Sequence, residues 1–375
     1  MASGRERARN VFALVAGDLV DRVAPVLVFL VAITVVAELS DRAGVFALAA
    51  HRAAVLARGR MWRLWALVAL LATAATVVLS LDTTAVLFTP VVLAVARQLR
   101  LPTGLLAMTT VWLANTASLL LPVSNLTNLL SLHRMQALGI SLGGYVRLTW
   151  LPAVVAVVVT LVVLAVLFRG DLGSSYAVPP AVLVPDRFLL RASATVCLLL
   201  GPAFVSGVNV AWPASVAALV LVALFAVHDR GALGVALLPW RIVLVVVVLF
   251  VGIQWLSAHG LATLLARWAG TGEGFFAYLR LATVAALGAN AVDNLPTYLA
   301  LEPVADSSGP RLVALLIGVN FAPLLTLWAS LATLLWRERC RAGGVEIAWW
   351  RFAGRGLALV PALLVACCAA LALSA

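Results

Sequence analysis

Two apolar, helix-length runs of this chain are interrupted by polar side chains and proline. The first contains Asn115, Ser124 and Asn128, and the second contains Asn320 and Ser330. An interrupted backbone at membrane depth is tolerated only where it lines a cavity or a ligand. Paired interruptions in the two halves of a membrane protein are typical of a transporter binding site. The residues predicted to bind substrate are Asn115, Thr116, Ser118, Ser124, Asn125, Thr127, Asn128, Asn294, Asn320, Thr326, Ser330 and Thr333.

Each interruption is preceded by a carboxylate in apolar surroundings, Asp82 in the first half and Asp293 in the second. An ionisable residue inside a membrane costs a few kcal/mol to insert, so it normally pairs with or binds something. Both aspartates are therefore predicted to couple transport to a proton or another ion. A purely structural alternative is that each caps a helix, Asp82 together with Thr83 and Thr84 and Asp293 ahead of Pro296. Capping does not exclude ion binding.

The composition places the chain in a lipid bilayer, because 64% of its 375 residues are hydrophobic and only 11% are charged. About a quarter of the residues are charged in a soluble domain. The net charge of +11 does not indicate nucleic-acid binding, since the arginines are spread over the junctions between apolar runs. They are better explained as topology signals. The four cysteines lack metal-ligand spacing, and no cofactor is predicted.

The apolar runs predict an all-α polytopic membrane protein with about 8–10 transmembrane helices plus two re-entrant hairpins. In the first half the order is span, surface helix, hairpin around Asp82, broken helix and span. The corresponding ranges are 24–39, 43–58, 62–96, 103–130 and 146–168. The second half has spans at 188–207, 210–228 and 237–256, a surface segment at 257–268, a hairpin around 290–296, a broken helix at 312–336 and a span at 356–373.

This order predicts an inverted repeat, with the second copy inverted relative to the first. The predicted parts are an N-terminal stub (1–23), a first repeat (24–168), a connecting loop (169–187) and a second repeat (188–375). The first copy has fewer spans before its surface helix. The predicted topology puts the arginines of the stub outside, against the positive-inside rule. Two explanations stay open: a truncated or wrongly assigned start, or a count of spans that is off by one.

The chain resembles the bacterial arsenite and antimonite efflux permeases of the ion transporter superfamily, which also includes sodium-coupled dicarboxylate symporters. The resemblance extends from about Gly17 to the C-terminus. Its most specific pieces are Ser-Asn-Leu-Thr-Asn at 124–128 and Ser-Leu-Ala-Thr-Leu-Leu-Trp at 330–336. Two departures are the missing N-terminal helices and Asp293, where the family would have an amide.

The resemblance implies export of trivalent arsenic or antimony across the bacterial cytoplasmic membrane, driven by the proton gradient. It also implies a cytoplasmic arsenite-stimulated ATPase as a partner of some members, and a homodimer. The chain itself carries no phosphate-binding loop or hydrolase motif, so we predict a secondary transporter and not an enzyme. The expected partners are membrane lipid, a small neutral metalloid hydroxide and protons.

The polar residues agree with a neutral substrate. Arsenous acid is an uncharged trihydroxide, and amide and hydroxyl side chains can both donate and accept hydrogen bonds to it. A dicarboxylate would face Asp82 and Asp293, and one like-charge pair at about 4 Å costs about 4 kcal/mol at an effective dielectric near 20. Two alternatives stay open: a sodium/proton antiporter of the same superfamily, and a membrane subunit or remnant that transports nothing.

Overall fold

The computed structural model describes residues 27–78, 80–178, 186–205, 208, 211–234, 237–238, 240, 243–244, 247–248, 260 and 262–375. The regular structure in these residues is helical, with one isolated bridge between Arg60 and Ser175. The predicted all-α polytopic class is confirmed. Among the described helices, four are long and apolar enough to cross a membrane: Met61–Val78, Leu142–Leu167, Ala211–His228 and Trp349–Ser374. The stub and most of the predicted span 237–256 lie outside the described residues.

The first half contains a surface helix, a hairpin, a broken helix and a long span, as predicted. Helix α1 covers residues 27–42. It is followed by α2 (Val45–Leu56), α3 (Met61–Val78), α4 (Leu81–Thr83), a π-helical turn (Thr84–Phe88) and α5 (Thr89–Gln98). The broken helix consists of α6 (Thr103–Thr116), two 3₁₀ turns (Ala117–Leu119 and Pro122–Ser124) and α7 (Leu126–Ala137). Helices α8 (Leu142–Leu167) and α9 (Arg169–Leu172) complete this half.

The second half repeats the hairpin, broken helix and span. It begins with α10 (Arg187–Val205) and α11 (Ala211–His228), and α12 (Ala262–Ala269) lies in the predicted surface segment. The hairpin arms are α13 (Phe275–Ala291) and α14 (Asn294–Ala305). The broken helix consists of α15 (Gly309–Phe321), a 3₁₀ turn (Ala322–Leu324) and α16 (Leu331–Ala342), and the final span is α17 (Trp349–Ser374).

Contacts divide the chain into two units, residues 1–43 with 186–251 and residues 44–185 with 252–375. In the first unit, α1 contacts α10 through Ser40 Oγ, 3.2 Å from Cys197 Sγ. Arg42 there donates to the Ala232 carbonyl at 2.8 Å. All the residues predicted to bind substrate lie in the second unit. This division follows contacts and not sequence order, so the repeat boundaries stay a prediction.

Close helix packing in the second unit depends on two glycines. A Cβ atom at Gly318 of α15 would overlap the Ala282 carbonyl oxygen of α13, and one at Gly356 of α17 would overlap the Leu324 carbonyl oxygen. Small residues let helix backbones approach closely in membranes. Gly318 therefore fixes the distance between the second hairpin and the broken helix that carries Asn320.

The loop after α8 lies beside the arginine-rich loop that precedes α3. Met61 N donates to the Ser174 carbonyl at 3.2 Å, and Tyr176 N donates to the Gly59 carbonyl at 3.0 Å. Gly59 adopts a positive φ of 74°, which glycine tolerates without strain. The connection predicted between the two repeats therefore begins on the same side of the protein as Arg58 and Arg60.

Candidate functional site

Each broken helix restarts at a polar residue that caps the new segment. Asn125 precedes α7, and its side chain accepts a hydrogen bond from Thr127 N at 3.3 Å. Ser330 precedes α16 and accepts from Thr333 N at 3.2 Å. Such caps satisfy backbone N–H groups that have no partner within the helix. The same number of residues separates Asn115 from Asn125 as separates Asn320 from Ser330, so the two breaks are equivalent in sequence.

Asn320 joins the two broken helices through three side-chain hydrogen bonds. Its Oδ1 accepts from Asn125 Nδ2 at 2.9 Å and from Thr127 Oγ1 at 3.0 Å, while its Nδ2 donates to Asn128 Oδ1 at 2.9 Å. All four side chains are buried. We call Asn125, Thr127, Asn128 and Asn320 the Asn320 cluster.

Asn115 makes the equivalent contact in the opposite direction, and we call Asn115, Ser330 and Thr333 the Asn115 cluster. Asn115 Nδ2 donates to Thr333 Oγ1 at 3.4 Å, and Ser330 Oγ donates to Asn115 Oδ1 at 3.5 Å. The next-to-last residue of each first segment therefore reaches the cap of the other broken helix. Seven of the predicted site residues are brought together in these two clusters.

The hairpin tips contribute two further caps with nearly identical backbone conformations. Ser80 (φ 175°, ψ 166°) accepts from Thr83 N, and Asp293 (φ 177°, ψ 162°) accepts from Leu295 N, each at 3.1 Å. Asp293 is thus a helix cap, as the structural alternative had it. That alternative is wrong for Asp82, because Ser80 caps the segment and Asp82 lies in its first turn.

Asp82 and Asp293 nevertheless lie near each other, since the charge of Asp82 acts on the Asp293 carboxyl group. Asp293 is buried, and its carboxylate accepts the backbone hydrogen bond of the cap. Two carboxylates that act on each other disfavour simultaneous ionisation, so one of the pair can carry a proton.

Each hairpin is bound to the broken helix that follows it. Ser124 Oγ donates to the Val77 carbonyl at 2.9 Å in the first half. In the second half, Thr326 Oγ1 donates to Asn290 Oδ1 and Trp328 Nε1 to the Asn290 carbonyl, both at 2.8 Å. Asn294 N also donates to the Ala329 carbonyl at 2.9 Å. Thr326 and Ser124 therefore position the hairpins.

The side chains of two predicted residues, Thr116 and Ser118, make no hydrogen bond to the side chains of either cluster. Thr116 Oγ1 donates to the Trp112 carbonyl at 2.8 Å and accepts from Thr160 of α8 at 3.2 Å. Ser118 Oγ donates to the Asn115 carbonyl at 2.7 Å, whereas its own carbonyl accepts from Asn128 Nδ2 at 2.6 Å. Thr116 is therefore a packing contact, and Ser118 contributes its backbone to the site.

The sequence reasoning missed Ser80, Asn290 and Trp328 as functional candidates. Ser80 directly precedes the apolar residue that starts α4, and a serine before a helix start is a recognisable cap signal. Asn290 and Trp328 carry no such signal, because their partnership depends on how the hairpin folds back on the break.

The two clusters consist of amide and hydroxyl groups, and their hydrogen bonds involve no charged side chain among the described residues. Such groups can exchange their mutual hydrogen bonds for bonds to a small polyhydroxylated solute. The two carboxylates at the hairpin tips supply the titratable groups. The site therefore combines neutral polar recognition with acidic groups nearby.

The chain is similar to known proteins along most of its length. A sequence model described as citrate transporter matches residues 6–333. A protein of Escherichia coli named arsenical pump membrane protein is 29% identical over 374 residues, covering 92% of this chain and 85% of the relative. A protein of the same name from Yersinia enterocolitica is 28% identical over 376 residues, with the same coverage.

These matches confirm the resemblance to the bacterial arsenite and antimonite efflux permeases. With the apolar helices, they identify a multi-pass transport protein of the bacterial inner membrane, in contact with lipid and with a small substrate. The matched region includes both hairpin tips and both breaks. The chain therefore belongs to the citrate transporter family.

Proposed function

We propose that this protein exports arsenite or antimonite from the cytoplasm in exchange for protons. The observation that carries the proposal is the pair of neutral, buried clusters around Asn320 and Asn115. The name of the relatives, arsenical pump membrane protein, points to the same substrate class. An uncharged trihydroxide matches groups that both donate and accept hydrogen bonds.

A tricarboxylate such as citrate is less compatible with this site, although it gives the family its description. The amide groups of the Asn320 cluster are bonded to one another, and the titratable side chains at the hairpin tips, Asp82 and Asp293, are acidic. An anion at the hairpin tips would meet like charge. The site therefore favours the neutral hydroxide.

Proton exchange is assigned to Asp82 and Asp293. Asp82 makes no hydrogen bond within the described residues, whereas Asp293 is held as a cap. A carboxylate without a fixed donor is free to bind and release a proton as the substrate enters and leaves. The predicted cytoplasmic ATPase and the homodimer belong to the same proposal, and co-purification of the full chain with either one would test them.

Uptake of arsenite into everted membrane vesicles tests the proposal. We expect uptake that requires the proton gradient and disappears when an ionophore collapses it, with no uptake of citrate. Uptake of citrate instead would indicate a carboxylate transporter, in line with the description of the family. Sodium-dependent proton movement without arsenite would favour the sodium/proton antiporter, for which the unbonded Asp82 carboxylate is the supporting observation.

Replacement of the carboxylate at Asp82 tests the coupling step. We expect Asp82→Asn to lower gradient-driven arsenite uptake by about tenfold or more, since a positioned proton-transfer group typically contributes about a hundredfold or more. The protein should fold normally, because no hydrogen bond is lost. Glu346→Gln, which lies outside the site, is the matched control. Full gradient-driven uptake by Asp82→Asn would remove Asp82 from the mechanism.

A further inference from the structure

A second group of polar side chains lies between α7 and α14, beyond the Asn320 cluster. Ser131 and Tyr298 are fully buried and Glu302 is partly buried. Tyr298 donates its hydroxyl hydrogen to Glu302 Oε1 at 3.5 Å. We call Ser131, Tyr298 and Glu302 the polar column. None of the three is used by the clusters or by the hairpin tips.

Ser131 interacts with Tyr298 across the two helices. Its Oγ is buried and lies within hydrogen-bonding reach of the Tyr298 hydroxyl, but it makes no closely aligned hydrogen bond to any described residue. The Ser131 hydroxyl is therefore free to accept a proton from Tyr298 and to donate its own.

The polar column is continuous with the substrate site at one end. Ser131 lies one turn after Asn128 on α7, and residues three apart share a helix face. On the other side, Tyr145 of α8 donates to the Leu119 carbonyl at 3.1 Å and lies near Tyr298. Leu119 belongs to the interrupted part of the first broken helix, so the column begins where the predicted substrate would sit.

The other end of the column reaches the protein surface. Arg134 of α7 forms an ion pair with Asp306, which follows α14, and the two side chains are 43% and 26% exposed. Glu302 lies about one turn before Asp306. Water can therefore reach the Glu302 end of the column.

The surface next to Glu302 faces the outside of the cell, because the arginines that mark the cytoplasmic side lie at the opposite end of the broken helix. The last turn of α16 contains Arg339 and Arg341, and Arg337 lies in the same segment, which places that end in the cytoplasm. The ends of α7 and α14 meet the start of α15, where a Cβ at Gly309 would contact Ile140 and Leu148. Because α15 and α16 form one broken helix, the start of α15 lies on the opposite side from the arginines.

The equivalent positions in the other hairpin and break hold no titratable group. Counted from the caps, Ser131 corresponds to Trp336, Tyr298 to Ala85 and Glu302 to Thr89, all three fully buried. Trp336 donates its indole N–H to the Ala107 carbonyl at 3.0 Å, so it offers no free hydroxyl. The polar column therefore serves one side of the membrane only.

We propose that Ser131, Tyr298 and Glu302 form a proton relay from the extracytoplasmic surface to the Asn320 cluster. The inference rests on the proton exchange proposed above. The Tyr298 hydroxyl, which donates to Glu302, first turns toward Ser131. Glu302 then passes a proton from outside water to the Tyr298 oxygen, while the phenolic proton moves to Ser131 Oγ and the proton of Ser131 leaves into the substrate site. Asp293 and Asp82 accept it there, because the Asn320 cluster holds no titratable group. Each relay oxygen gains one proton and loses one, which leaves the Tyr298 hydroxyl pointing to Glu302 as at the start.

Several charged or titratable groups surround Glu302 and Tyr298. Arg134 of α7 acts on Tyr298 from one side, and Tyr145 of α8 acts from another. Asp306 is paired with Arg134. Arg311 of α15 is occupied by the Gly270, Gly272 and Val304 carbonyls, and Arg280 of α13 donates to the Trp268 carbonyl. The other titratable residues on packed elements are Arg147 of α8, Arg267 of α12, Tyr278 of α13 and His133 of α7.

The test compares two transport modes in everted vesicles that contain the full chain. Gradient-driven arsenite uptake requires net proton movement, whereas exchange of labelled for unlabelled arsenite at equal pH does not. We expect Glu302→Gln to lower gradient-driven uptake by about tenfold or more while exchange stays close to that of the unaltered protein. Tyr298→Phe should give the same pattern, and the dependence on lumenal pH should be lost in both.

Glu338→Gln on α16 removes a carboxylate at the cytoplasmic end and should leave both modes intact. Unchanged gradient-driven uptake by Glu302→Gln would overturn the relay. Equal loss of uptake and exchange would also overturn it, because the column would then be structural. Absence of arsenite transport by the unaltered protein would instead refute the proposed function, and the relay with it.

Discussion

The Asn320 and Asn115 clusters occupy equivalent places in the two broken helices, yet they are bonded differently. Asn320 makes three hydrogen bonds of 2.9 to 3.0 Å, whereas Asn115 makes its two cross-helix bonds at 3.4 and 3.5 Å. Hydrogen bonds weaken steeply toward that length. A substrate hydroxyl can therefore replace the bonds of Asn115 at lower cost than those of Asn320.

This difference indicates a division of labour within one site. The Asn320 cluster holds the two broken helices in register, whereas the Asn115 cluster joins them only through long bonds, since Asn115 Nδ2 also donates to the Val111 carbonyl at 2.8 Å. The hairpins show a parallel division, because Ser80 and Asp293 both cap a helix but only Asp293 brings a charge. Equivalent backbones thus carry different chemistry in the two halves.

The largest effect is expected from removing the Asn320 side chain. Asn320→Ala deletes three buried hydrogen bonds, and each such bond between membrane helices contributes about 0.6 kcal/mol on average. We therefore expect a loss of about 2 kcal/mol in stability and arsenite uptake at background level. Vesicle uptake and thermal unfolding in detergent measure the two effects.

Asn115→Ala is the matched variant, because it removes the weaker bonds of the equivalent position. We expect it to retain nearly full stability and to raise the arsenite concentration needed for half-maximal uptake. If both variants lose stability equally, the contrast in bond length has no energetic meaning. Full transport by Asn320→Ala would show that substrate binds elsewhere.

The sequence was sufficient to predict the helices, the two breaks and the two hairpins. Proline and polar residues inside apolar runs mark an interrupted helix wherever it packs, so Asn115, Asn125, Asn320 and Ser330 were recognisable without a structure. The exchange of partners between the breaks was not predictable. It depends on long-range packing, which local patterns do not encode.

Asp82 shows how the local interpretation failed. A carboxylate followed by two threonines resembles a helix cap. In the structure, however, Ser80 is the cap and Asp82 lies in the first turn of the helix. Serine and aspartate are nearly equal as caps, so the sequence could not choose between them. The polar column was missed for a different reason, since Ser131 and Tyr298 come from separate repeats and meet only in the folded chain.

A smaller effect is expected from the close approach at Gly318. The equivalent residue of the first broken helix is Leu113, so only the second half relies on backbone contact there. Gly318→Ala would force α13 and α15 apart, and overpacking of this kind costs about 1–3 kcal/mol. We expect a lower unfolding temperature together with reduced uptake, because Asn320 lies on the displaced segment.

Gly354→Ala in α17 is the control, since a Cβ there meets nothing within 4 Å. Alanine is a better helix former than glycine, so this variant should be as stable as the unaltered protein or slightly more so. If Gly318→Ala behaves like Gly354→Ala, the second half does not depend on the close contact.

The smallest effects on stability are expected at the two hairpin caps. Variants there distinguish the contribution of helix capping from that of the carboxylate charge. Ser80→Ala removes a cap and should lower stability by about 1 kcal/mol. Asp293→Asn keeps a capping side chain of nearly equal strength, so its stability should change by only a few tenths of a kcal/mol. Because it removes the carboxylate, Asp293→Asn should nevertheless weaken the dependence of arsenite uptake on the proton gradient, whereas Ser80→Ala should preserve it. Thermal unfolding and gradient-driven uptake measured on the same two preparations distinguish these roles. Loss of gradient dependence in Ser80→Ala, or its retention in Asp293→Asn, would mean that the charge at the second tip is not what distinguishes the two hairpins.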